Sequence, residues 1–529
     1  MKTTPLKRPV RFFNTTGPCN PWDHYMLPPE ERLVGAQLHR YISDNLYWVL
    51  HAPRQTGKTT FLQNWAREIN AADEAVACYV SVECCQGVQN PADAMPAICT
   101  AITESAVQSD LPIPSMDDVP PLNMLNNILR KWAELFPHKP LIVLFDEVDV
   151  LSGDTLISFL RQLRSGFAER GIGKFPTSIA LVGMRDLRDY ITIAKDGVPV
   201  NPGSPFNIKS DSALIGNFTN RDVGRLFAQR TKETGQKITD DALLYVYDQS
   251  RGQPWIVNSL FQRVTMRILT ADDYSTVTLE QVKQAREQMI QARETHLDAL
   301  AVRLSDERVY KIIETLMTGI PDPFLTESDA FAYCIDLGLV TKEDGTPQVA
   351  NPIYREVLAR QLTQGTQDAI VKPEWKWEKD DGTLDMDALL HEFQKFWRSN
   401  SEIWEEQRKQ KIRYTEAFPH LLLQAFLQRV VNGGGRIDRE YAAGRGRMDL
   451  AVEFREKKYI LEVKLINEHS SPQTVLEEGL QQIAKYRDTI DSAAPAYLVI
   501  FDRRPEGKKA SWDERLTWNI EKNITVVGC

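Results

Sequence analysis

The segment HAPRQTGKTT, residues 51–60, decides how the N-terminal part of the chain is expected to fold. The apolar stretch NLYWVLHA (45–52) leads into it and predicts a strand, and TTFLQNWAREIN (59–70) continues it with the apolar and polar faces of a helix. A tight turn between a strand and a helix can wrap backbone N–H groups around phosphates at the helix N-terminus. The segment therefore predicts a phosphate-binding loop.

The first position of this loop departs from the usual pattern, which is Gly, any four residues, and then Gly-Lys-Ser or Gly-Lys-Thr. Ala52 replaces the first glycine, whereas the Gly-Lys-Thr core that carries the chemistry is intact. If the φ angle at Ala52 is negative, the replacement costs little; if it is positive, the cost is on the order of 1 kcal/mol. The residues expected to bind the nucleotide here are Ala52, Gln55, Thr56, Gly57, Lys58, Thr59 and Thr60.

A second motif, PLIVLFDEVD at residues 140–149, supplies the acidic partners that such a loop needs. Its apolar run predicts a buried strand that ends in Asp146 and Glu147. Asp146 would hold Mg²⁺ through water beside the hydroxyl of Thr59, and Glu147 would polarise the attacking water. Two acids at a strand end can also simply cap a following helix. Because both motifs occur at a plausible spacing, the sequence predicts ATP binding with Mg²⁺ and ATP hydrolysis.

Further strands are predicted at AVACYVSVE (75–83) and TSIALVGM (177–184), with helical segments between the strands. Apolar strands that alternate with helices indicate a mainly parallel sheet covered on both faces, and hence an α/β fold. We expect the chain to be divided into a P-loop ATPase core at 1–218, a helical lid at 219–303, a winged-helix-like module at 304–363, a linker at 364–385 and a second α/β/α domain at 386–529.

The last of these domains contains another group of residues that points to metal chemistry. Two helical stretches (386–411 and 414–432) are followed by paired strands at 436–465, a helix at 473–490 and a strand at 496–502. Glu462 and Lys464 are two residues apart on a strand and project to the same side, and Asp449 joins them if the strands pair. Two carboxylates can hold Mg²⁺ or Mn²⁺, and a neighbouring lysine can orient or deprotonate water.

The alternative for this group is an exposed strand with alternating charges, because Glu-x-Lys is frequent in such strands. The apolar YILEV at 459–463 favours a buried strand, and charges at the end of a buried strand call for a functional explanation. The arginines Arg436, Arg439, Arg445 and Arg447 lead into the group and could neutralise the phosphates of a nucleic acid. Each of them taken singly is more simply a surface residue.

Composition limits these interpretations. A chain of 529 residues exceeds one hydrophobic core, and 42% hydrophobic with 26% charged residues is typical of globular domains. Apolar runs such as LIVLF are too short to cross a bilayer, so no membrane partner is expected. Seven cysteines without a Cys-x-x-Cys pair indicate a reducing cytoplasm and no zinc site. The net charge of −9 argues against an extended basic surface but permits a local nucleic-acid groove.

Taken in order, HYMLPPEERL, HAPRQTGKTT, LFDEVD, GMRDLRDY and SRGQPWIVN resemble the motifs of prokaryotic AAA-type ATPases related to STAND and Orc/Cdc6-like proteins, over about residues 1–365. The resemblance implies that Arg185 lies at a sensor position beside the γ-phosphate and that the turn ending at Pro254 approaches the nucleotide. It also implies that the stretch 24–32 lies near the adenine. If protomers stack as a homo-oligomer, Arg161 and Arg164 are candidates for an arginine finger.

The C-terminal pattern Asp449-x(12)-Glu462-x-Lys464 resembles the core of PD-(D/E)XK nucleases. Gln482 and Tyr486 on the following helix resemble the QxxxY motif of RecB-like members. The resemblance also implies a further acidic metal ligand on the preceding helix, for which Glu416 is the candidate. Its alternative role is a charge favoured by the dipole at a helix N-terminus.

Together these features predict an ATP-dependent or ATP-regulated nuclease that uses ATP and Mg²⁺, with Mn²⁺ as an alternative metal at the nuclease site. DNA is the favoured substrate, although RNA remains open, and phage defence or mobile-element biology is the setting that the resemblance implies. The alternative is a nucleotide-switched nucleic-acid-binding ATPase with an inactive nuclease fold. An ATPase motor that remodels DNA is a further candidate.

Overall fold

The structure is a computed structural model, and its residues form two compact units. The first unit comprises residues 1–298 and 326–354, and the second comprises 299–325 and 355–529. The residues whose structure is described are 10–34, 36–116, 119–184, 209–292, 295–318, 325–369, 377–399, 422–424, 426–427, 435–443, 446–455, 457–466, 471–490, 492–502, 504 and 511–529.

The first unit is built around a six-stranded sheet with the strand order β1-β6-β2-β5-β4-β3. Its strands are β1 (Leu33–Val34), β2 (Tyr47–His51), β3 (Val76–Ser81), β4 (Leu141–Asp146), β5 (Ser178–Gly183) and β6 (Lys209–Ile215). All neighbouring strands run parallel except β1, which is antiparallel to β6. The expected parallel sheet is therefore confirmed. Because β2 and β4 run in the same direction, both sequence motifs lie at the carboxyl edge of the sheet.

Helices cover both faces of this sheet, as its apolar strands require. They are α1 (Leu38–Ser43), α2 (Lys58–Ala72), α3 (Pro91–Gln108), α4 (Pro121–Glu134) and α5 (Gly153–Phe167). Residues of α3, α4 and α5 share one core cluster with Val143, and residues of α1 and α2 share the other with Leu144. Successive residues of β4 thus face opposite layers, which explains why the strand is apolar at every position before Asp146.

Helices make up the next part of the first unit: α6 (Asn220–Thr234), α7 (Asp240–Ser250), α8 (Pro254–Arg263), α9 (Leu279–Gln291) and α10 (Thr295–Arg303), which runs past residue 298. Local sequence sets their ends. Thr219 and Asp222 form a reciprocal capping box at the start of α6, and Gly235, with φ 80°, ends that helix. At the start of α8, the Gln253 side chain accepts a hydrogen bond from the backbone N–H of Ile256 at 2.7 Å.

Small elements follow: α11 (Glu307–Thr318), α12 (Asp329–Asp336), β7 (Val340–Glu343), β8 (Thr346–Val349) and α13 (Pro352–Ala369). The strands β7 and β8 form an antiparallel hairpin around Asp344 and Gly345, which both have positive φ. The helix α13 runs to Ala369, past residue 364 where the linker is expected to begin. The sequence does not mark the end of this helix, because residues 364–369 are mostly polar and show no apolar periodicity.

The second unit contains another six-stranded sheet, with the order β13-β14-β12-β11-β10-β9. Its elements are α14 (Met386–Ser399), β9 (Gly435–Ala443), β10 (Gly446–Phe454), β11 (Lys457–Ile466), α15 (Pro472–Ile490), β12 (Ala496–Asp502), α16 (Trp512–Arg515), β13 (Trp518–Glu521) and β14 (Ile524–Gly528). The strands β9, β10 and β11 are antiparallel neighbours, whereas β11, β12 and β14 run parallel.

A helix packs on each face of this second sheet. Phe393 of α14 belongs to the core cluster that contains Leu461, and Ile483 of α15 belongs to the cluster that contains Ile460 and Leu498. The second unit is therefore an α/β/α sandwich, as the sequence predicts, and β11 occupies the middle of its sheet.

Some elements have no clear signal in the sequence. The strand β1 is two residues long, β6 begins with the polar KSDS, and β13 lies at a sheet edge with Ile520 largely exposed. Of the helices expected at 386–411 and 414–432, α14 and residues 422–424 and 426–427 are described, and the remainder lies outside the described residues. Within the described part of the chain, no helix is both long enough and apolar enough to cross a membrane.

Candidate nucleotide and nuclease sites

The loop between β2 and α2 has the backbone shape of a phosphate-binding turn. Gly57, with φ 100°, stands at the N-terminus of α2, and Gln55 also has a positive φ of 58°. The φ angle of Gly57 favours glycine, and a Cβ atom built there would lie 2.9 Å from Arg32 Nη2, so a side chain would also have to displace the end of Arg32. The Thr56 hydroxyl closes the turn by donating to Pro53 O at 2.9 Å.

Ala52, the residue that replaces the first glycine of the pattern, is part of the hydrophobic core. It is 0% exposed and shares a core cluster with Leu50 and Phe61. It is not among the described residues with positive φ. The backbone at this position therefore does not need glycine, and the replacement of glycine by Ala52 costs little.

Lys58 lies buried beneath the loop. Its ammonium group donates to the carbonyl oxygens of Ala52 at 2.8 Å and Pro53 at 3.1 Å. Burial lowers the pKa of Lys58, while the nearby charges of Asp146 and Glu147 act in the opposite direction. The loop thus holds a desolvated cation at its centre, where the outer phosphates of a nucleotide would lie.

Asp146, at the end of β4, is buried and heavily hydrogen-bonded. Its Oδ2 accepts from the hydroxyl of Thr59 at 2.6 Å and from the hydroxyl of Tyr79 at 3.3 Å. Its Oδ1 accepts from the backbone N–H of Glu147 at 3.0 Å. The hydroxyl and the carboxylate expected to share Mg²⁺ are therefore already in contact. Sequence reasoning missed Tyr79, because a tyrosine within an apolar strand gives no signal of its own.

Glu147 and Asp149 form an acidic group beside Asp146. Burial raises the pKa of Glu147, and the charges of Asp149 and Asp146 raise it further. Burial also raises the pKa of Asp149, whose Oδ1 has no hydrogen-bond partner. Perturbed carboxylates at the edge of a phosphate-binding loop are the arrangement expected of a general base for water attack.

A cavity of about 470 Å³ opens over the loop, a size that suits a nucleotide. Its lining includes residues of the loop, of the N-terminal segment and of α8, namely Arg54, Gln55, Thr56, Gly57, Lys58, Thr59, Thr60, Tyr25, Met26, Leu27, Arg32, Glu147, Phe218, Pro254, Trp255 and Asn258. The structure thus brings together the loop residues, Glu147, Pro254 and part of the stretch 24–32. It also adds Phe218 and Asn258, which share no short motif and could not be found from spacing. Within the stretch 24–32, Arg32 lies at the cavity, a contact that the sequence does not single out.

The turn before α8 is held tightly against the end of the sheet. Phe218 N–H donates to Gly252 O at 2.8 Å, and a Cβ atom at Gly252 would lie 1.8 Å from Phe218 O. Gly252 also has a φ of 73°. Only glycine fits this turn, which delivers Pro254 to the cavity.

Other residues named from the sequence lie elsewhere. Arg185 is outside the described residues, so its place relative to the cavity is not given by the structure. Arg161 and Arg164 are exposed on α5. Cys84 is the one cysteine of the chain that is exposed, and its neighbours Glu83 and Gln86 line the cavity.

The candidate nuclease site is centred on β11. Glu462 is 0% exposed, and Lys464 Nζ lies 2.9 Å from its Oε1. The two side chains project to the same face of the sheet, as their spacing predicts, and that face is the one that α15 covers. A buried carboxylate is costly to maintain unless it serves a purpose, because Glu462 has left water, while the Lys464 side chain stays 24% exposed.

Two polar residues of α15 extend this pair into a network. Gln482 Oε1 accepts a hydrogen bond from Lys464 Nζ at 2.8 Å. Gln482 Nε2 in turn donates to the hydroxyl of Tyr486 at 2.9 Å. The structure therefore connects Glu462, Lys464, Gln482 and Tyr486 through successive contacts from strand to helix.

The remaining residues expected at this site are less fully described. Asp449 lies in β10, but its side chain is outside the described residues, and Glu416 lies outside them altogether. The register of β10 and β11 pairs Leu450 with Leu461. Asp449 precedes Leu450 in β10, and Glu462 follows Leu461 in β11. Because the two strands are antiparallel, positions 449 and 462 lie on the same side of the Leu450–Leu461 pair.

Two protein-family models match the chain. The model described as an AAA domain matches residues 42–191. The model described as the PD-(D/E)XK nuclease superfamily matches residues 414–500. No curated protein matches the sequence.

The chain is similar to several solved structures. A Walker-type ATPase of Pyrococcus abyssi shares 14% identity over 65% of this chain and 99% of that chain, with a TM-score of 0.46. The RuvB Holliday junction branch migration motor of Thermotoga maritima shares 13% identity over 60% of this chain and 90% of that chain (TM-score 0.33). Cdc6p from Pyrobaculum aerophilum shares 15% identity over 60% of this chain and 88% of that chain, with a TM-score of 0.33. The two family matches and the two sheets agree: the chain combines an AAA-type P-loop ATPase domain with a C-terminal domain of the PD-(D/E)XK nuclease superfamily.

Proposed function

We propose that this protein is an ATP-dependent or ATP-regulated nuclease that cuts DNA with Mg²⁺ or Mn²⁺, in phage defence or in the biology of mobile elements. The observation that carries the proposal is the network of Glu462, Lys464, Gln482 and Tyr486, which is built on the buried carboxylate of Glu462. A fold that had lost its chemistry would not need to keep a buried carboxylate with a lysine held against it. Replacing such a pair by apolar residues is often neutral or stabilising.

The donors of the nuclease site fit a hard divalent cation. Glu462 offers a buried carboxylate, and Asp449 is proposed as the second ligand, because it lies on the neighbouring strand one residue from the Leu450–Leu461 pair. Glu416 is proposed as an additional ligand. A bound Mg²⁺ would polarise a phosphate oxygen and lower the pKa of water at this position.

Within this site Lys464 is proposed to orient or deprotonate the attacking water. Gln482 accepts one hydrogen bond from the ammonium group and thereby fixes its direction. Because an ammonium group can only donate, Gln482 Oε1 must face Lys464, which leaves Gln482 Nε2 to donate to the hydroxyl of Tyr486.

At the other site, we propose that Lys58 contacts the outer phosphates of ATP, that Thr59 and Asp146 hold Mg²⁺, and that Glu147 acts as the general base. The oxygen donors of Thr59 and Asp146 are of the hard type that Mg²⁺ prefers. The ion would neutralise phosphate charge there. We propose Arg185 as the residue that senses the γ-phosphate and Pro254 as the lid residue that follows nucleotide occupancy.

The test is cleavage of linear, circular and single-stranded DNA, and of RNA, by the full-length protein with and without ATP and Mg²⁺ or Mn²⁺. Lys464→Ala should reduce DNA cleavage at least about 100-fold, the usual contribution of a general base. Lys457→Ala is the matched control, because Lys457 lies exposed at the start of the same strand and should keep full activity. Equal cleavage by K464A and the wild type would contradict the assignment of the nuclease site.

The Lys58→Ala variant separates control from chemistry. If ATP regulates the nuclease, K58A should lose the ATP dependence of cleavage while its C-terminal unit stays folded. If the wild type cuts no nucleic acid under any of these conditions but still binds one in an ATP-dependent way, the alternative of an inactive nuclease fold is supported instead.

A further inference from the structure

Arg32 is held against the phosphate-binding loop, although it belongs to no motif of that loop. Its Nη2 donates to the backbone oxygen of Thr56 at 2.9 Å, and its Nη1 donates to Gly216 O at 2.8 Å. The guanidinium carbon lies 4.8 Å from the centre of the Phe218 ring. These contacts fix the side chain between the loop and the end of β6.

The contacts of Arg32 leave its positive charge without an anionic partner. Both hydrogen bonds go to neutral carbonyl groups, and among the described residues no carboxylate lies within ion-pair distance. Its Nε is buried and has no hydrogen-bond partner. Burial lowers the pKa of Arg32 to about 10, an effect that the charges of Asp222 and Glu30 only partly offset. Arg32 is half-buried, so its charge has given up part of its hydration without gaining a carboxylate, which is unfavourable for the empty protein.

The position of this charge indicates the missing partner. Arg32 lines the 470 Å³ cavity together with Lys58, and its Nη2 would be 2.9 Å from a Cβ atom at Gly57. The guanidinium thus lies directly beside the residues that turn around the phosphates. An arginine offers several N–H donors in a planar fork, which suits phosphate oxygens better than the single ammonium of a lysine.

We propose that Arg32 binds a phosphate group of the nucleotide and is, with Lys58, a second cation of the site. This deepens the nucleotide part of the proposed function and rests on it. The carbonyl groups of Thr56 and Gly216 position the fork, and the nucleotide supplies the negative charge that the protein itself does not. Arg32 is then a residue that makes the empty site less stable and the loaded site more stable.

The test compares ATP, ADP and adenosine binding by calorimetric titration of the full-length wild type and the variants Arg32→Gln and Arg32→Lys. R32Q keeps side-chain donors but removes the charge, so ATP affinity should fall roughly 10- to 100-fold while adenosine affinity stays unchanged. R32K keeps the charge without the fork and should lie between R32Q and wild type. Arg40→Gln is the control, because Arg40 is exposed and paired with Asp44.

Thermal unfolding without nucleotide supplies the second readout. Because R32Q removes a charge that has no partner, its midpoint should equal or exceed that of the wild type. Two results would overturn the proposal: unchanged ATP affinity in R32Q, or a lower midpoint together with equal losses for ATP and adenosine, which would show a merely structural role. The nuclease assay keeps the proposals distinct, since a wild type that binds ATP through Arg32 but cuts nothing would contradict only the proposed function.

Discussion

At the scale of single residues, the acidic cluster after β4 is the part of the nucleotide site whose chemistry depends most on pH. Asp146 is held by three hydrogen-bond donors, namely Thr59, Tyr79 and the N–H of Glu147. Glu147 and Asp149 have no comparable set of donors, and burial raises the pKa of both carboxyl groups. The residue proposed as the base therefore loses its charge at a higher pH than an ordinary glutamate does.

This gives a prediction for the acid side of the ATPase pH profile. A base must be ionised, so activity falls as the pH drops through the raised pKa of Glu147. Asp149→Asn removes a negative charge that raises this pKa, so the acid limb of the profile should move to lower pH. Steady-state ATP hydrolysis measured across pH 4–9 checks the shift.

The controls for this experiment lie on the same segment. Asp154→Asn changes an exposed aspartate at the start of α5 and should leave the acid limb in place. Glu147→Gln should abolish hydrolysis at every pH. An unchanged limb in D149N would mean that Glu147 does not limit the rate on the acid side.

Ala52 shows what sequence reasoning could and could not decide at this scale. The Gly-Lys-Thr core and the acidic strand end were enough to predict the site, because their chemistry depends on residue type and spacing. Whether Ala52 was harmful depended on one backbone angle, which no local pattern fixes. The loop leaves β2 with Ala52 buried in the core, so that angle is set by the packing of the sheet.

At the scale of elements, the turn before α8 joins the helical part of the first unit to its sheet. Phe218 follows β6, and its backbone N–H donates a hydrogen bond to Gly252 O, shortly before the helix begins at Pro254. A side chain at Gly252 would overlap Phe218 O, at 1.8 Å. Pro254 and Trp255 reach the cavity only because this approach is possible.

We therefore expect Gly252→Ala to weaken both folding and nucleotide binding. The positive φ and the backbone overlap should together cost at least about 2 kcal/mol of unfolding free energy. Gly224→Ala is the matched control: Gly224 lies inside α6 with open space around it, and alanine there should stabilise the helix by up to about 1 kcal/mol. Urea unfolding and ATP titration of both variants check this. A G252A protein with wild-type stability would contradict the tight turn.

Elements with continuous apolar runs, such as β4 and β11, could be predicted from the sequence, and β6 could not. Its first residues are polar and Asp211 accepts a hydrogen bond from the hydroxyl of Tyr41, so polar residues are satisfied there by partners far away in the chain. Hydrophobic periodicity depends only on residues that are close together in the sequence, so it cannot reveal hydrogen-bond partners that are far apart in the chain.

At the scale of the whole molecule, each chemistry belongs to a unit with its own core. The nucleotide residues lie in the first unit, and the network of Glu462 lies in the second. The order of the domains was predictable, since each has its own motif and its own pattern of strands. Gln482 and Tyr486 of α15 were named from a resemblance. Their hydrogen bonds to each other and to Lys464 are known only from the structure, because hydrogen bonds between a strand and a helix have no sequence signature.

Separate cores predict separate responses to ligand. In scanning calorimetry, saturating ATP with Mg²⁺ should raise the midpoint temperature of one transition and leave that of another unchanged. At a hundredfold excess of ATP over its dissociation constant, the unfolding free energy of the ATP-binding unit should rise by about 2.7 kcal/mol. K58A should show no such shift. A single transition that moves as a whole would show that the units unfold together.

The exposed thiol of Cys84 gives the protein a natural place for a fluorescent reporter. The other cysteines are buried, except the half-buried Cys19, whose pKa is raised by burial and whose thiol therefore reacts slowly. A thiol-reactive dye should therefore attach first at Cys84, between two residues that line the nucleotide cavity. Arrival and departure of the nucleotide could then be followed by emission in real time on the unmutated protein.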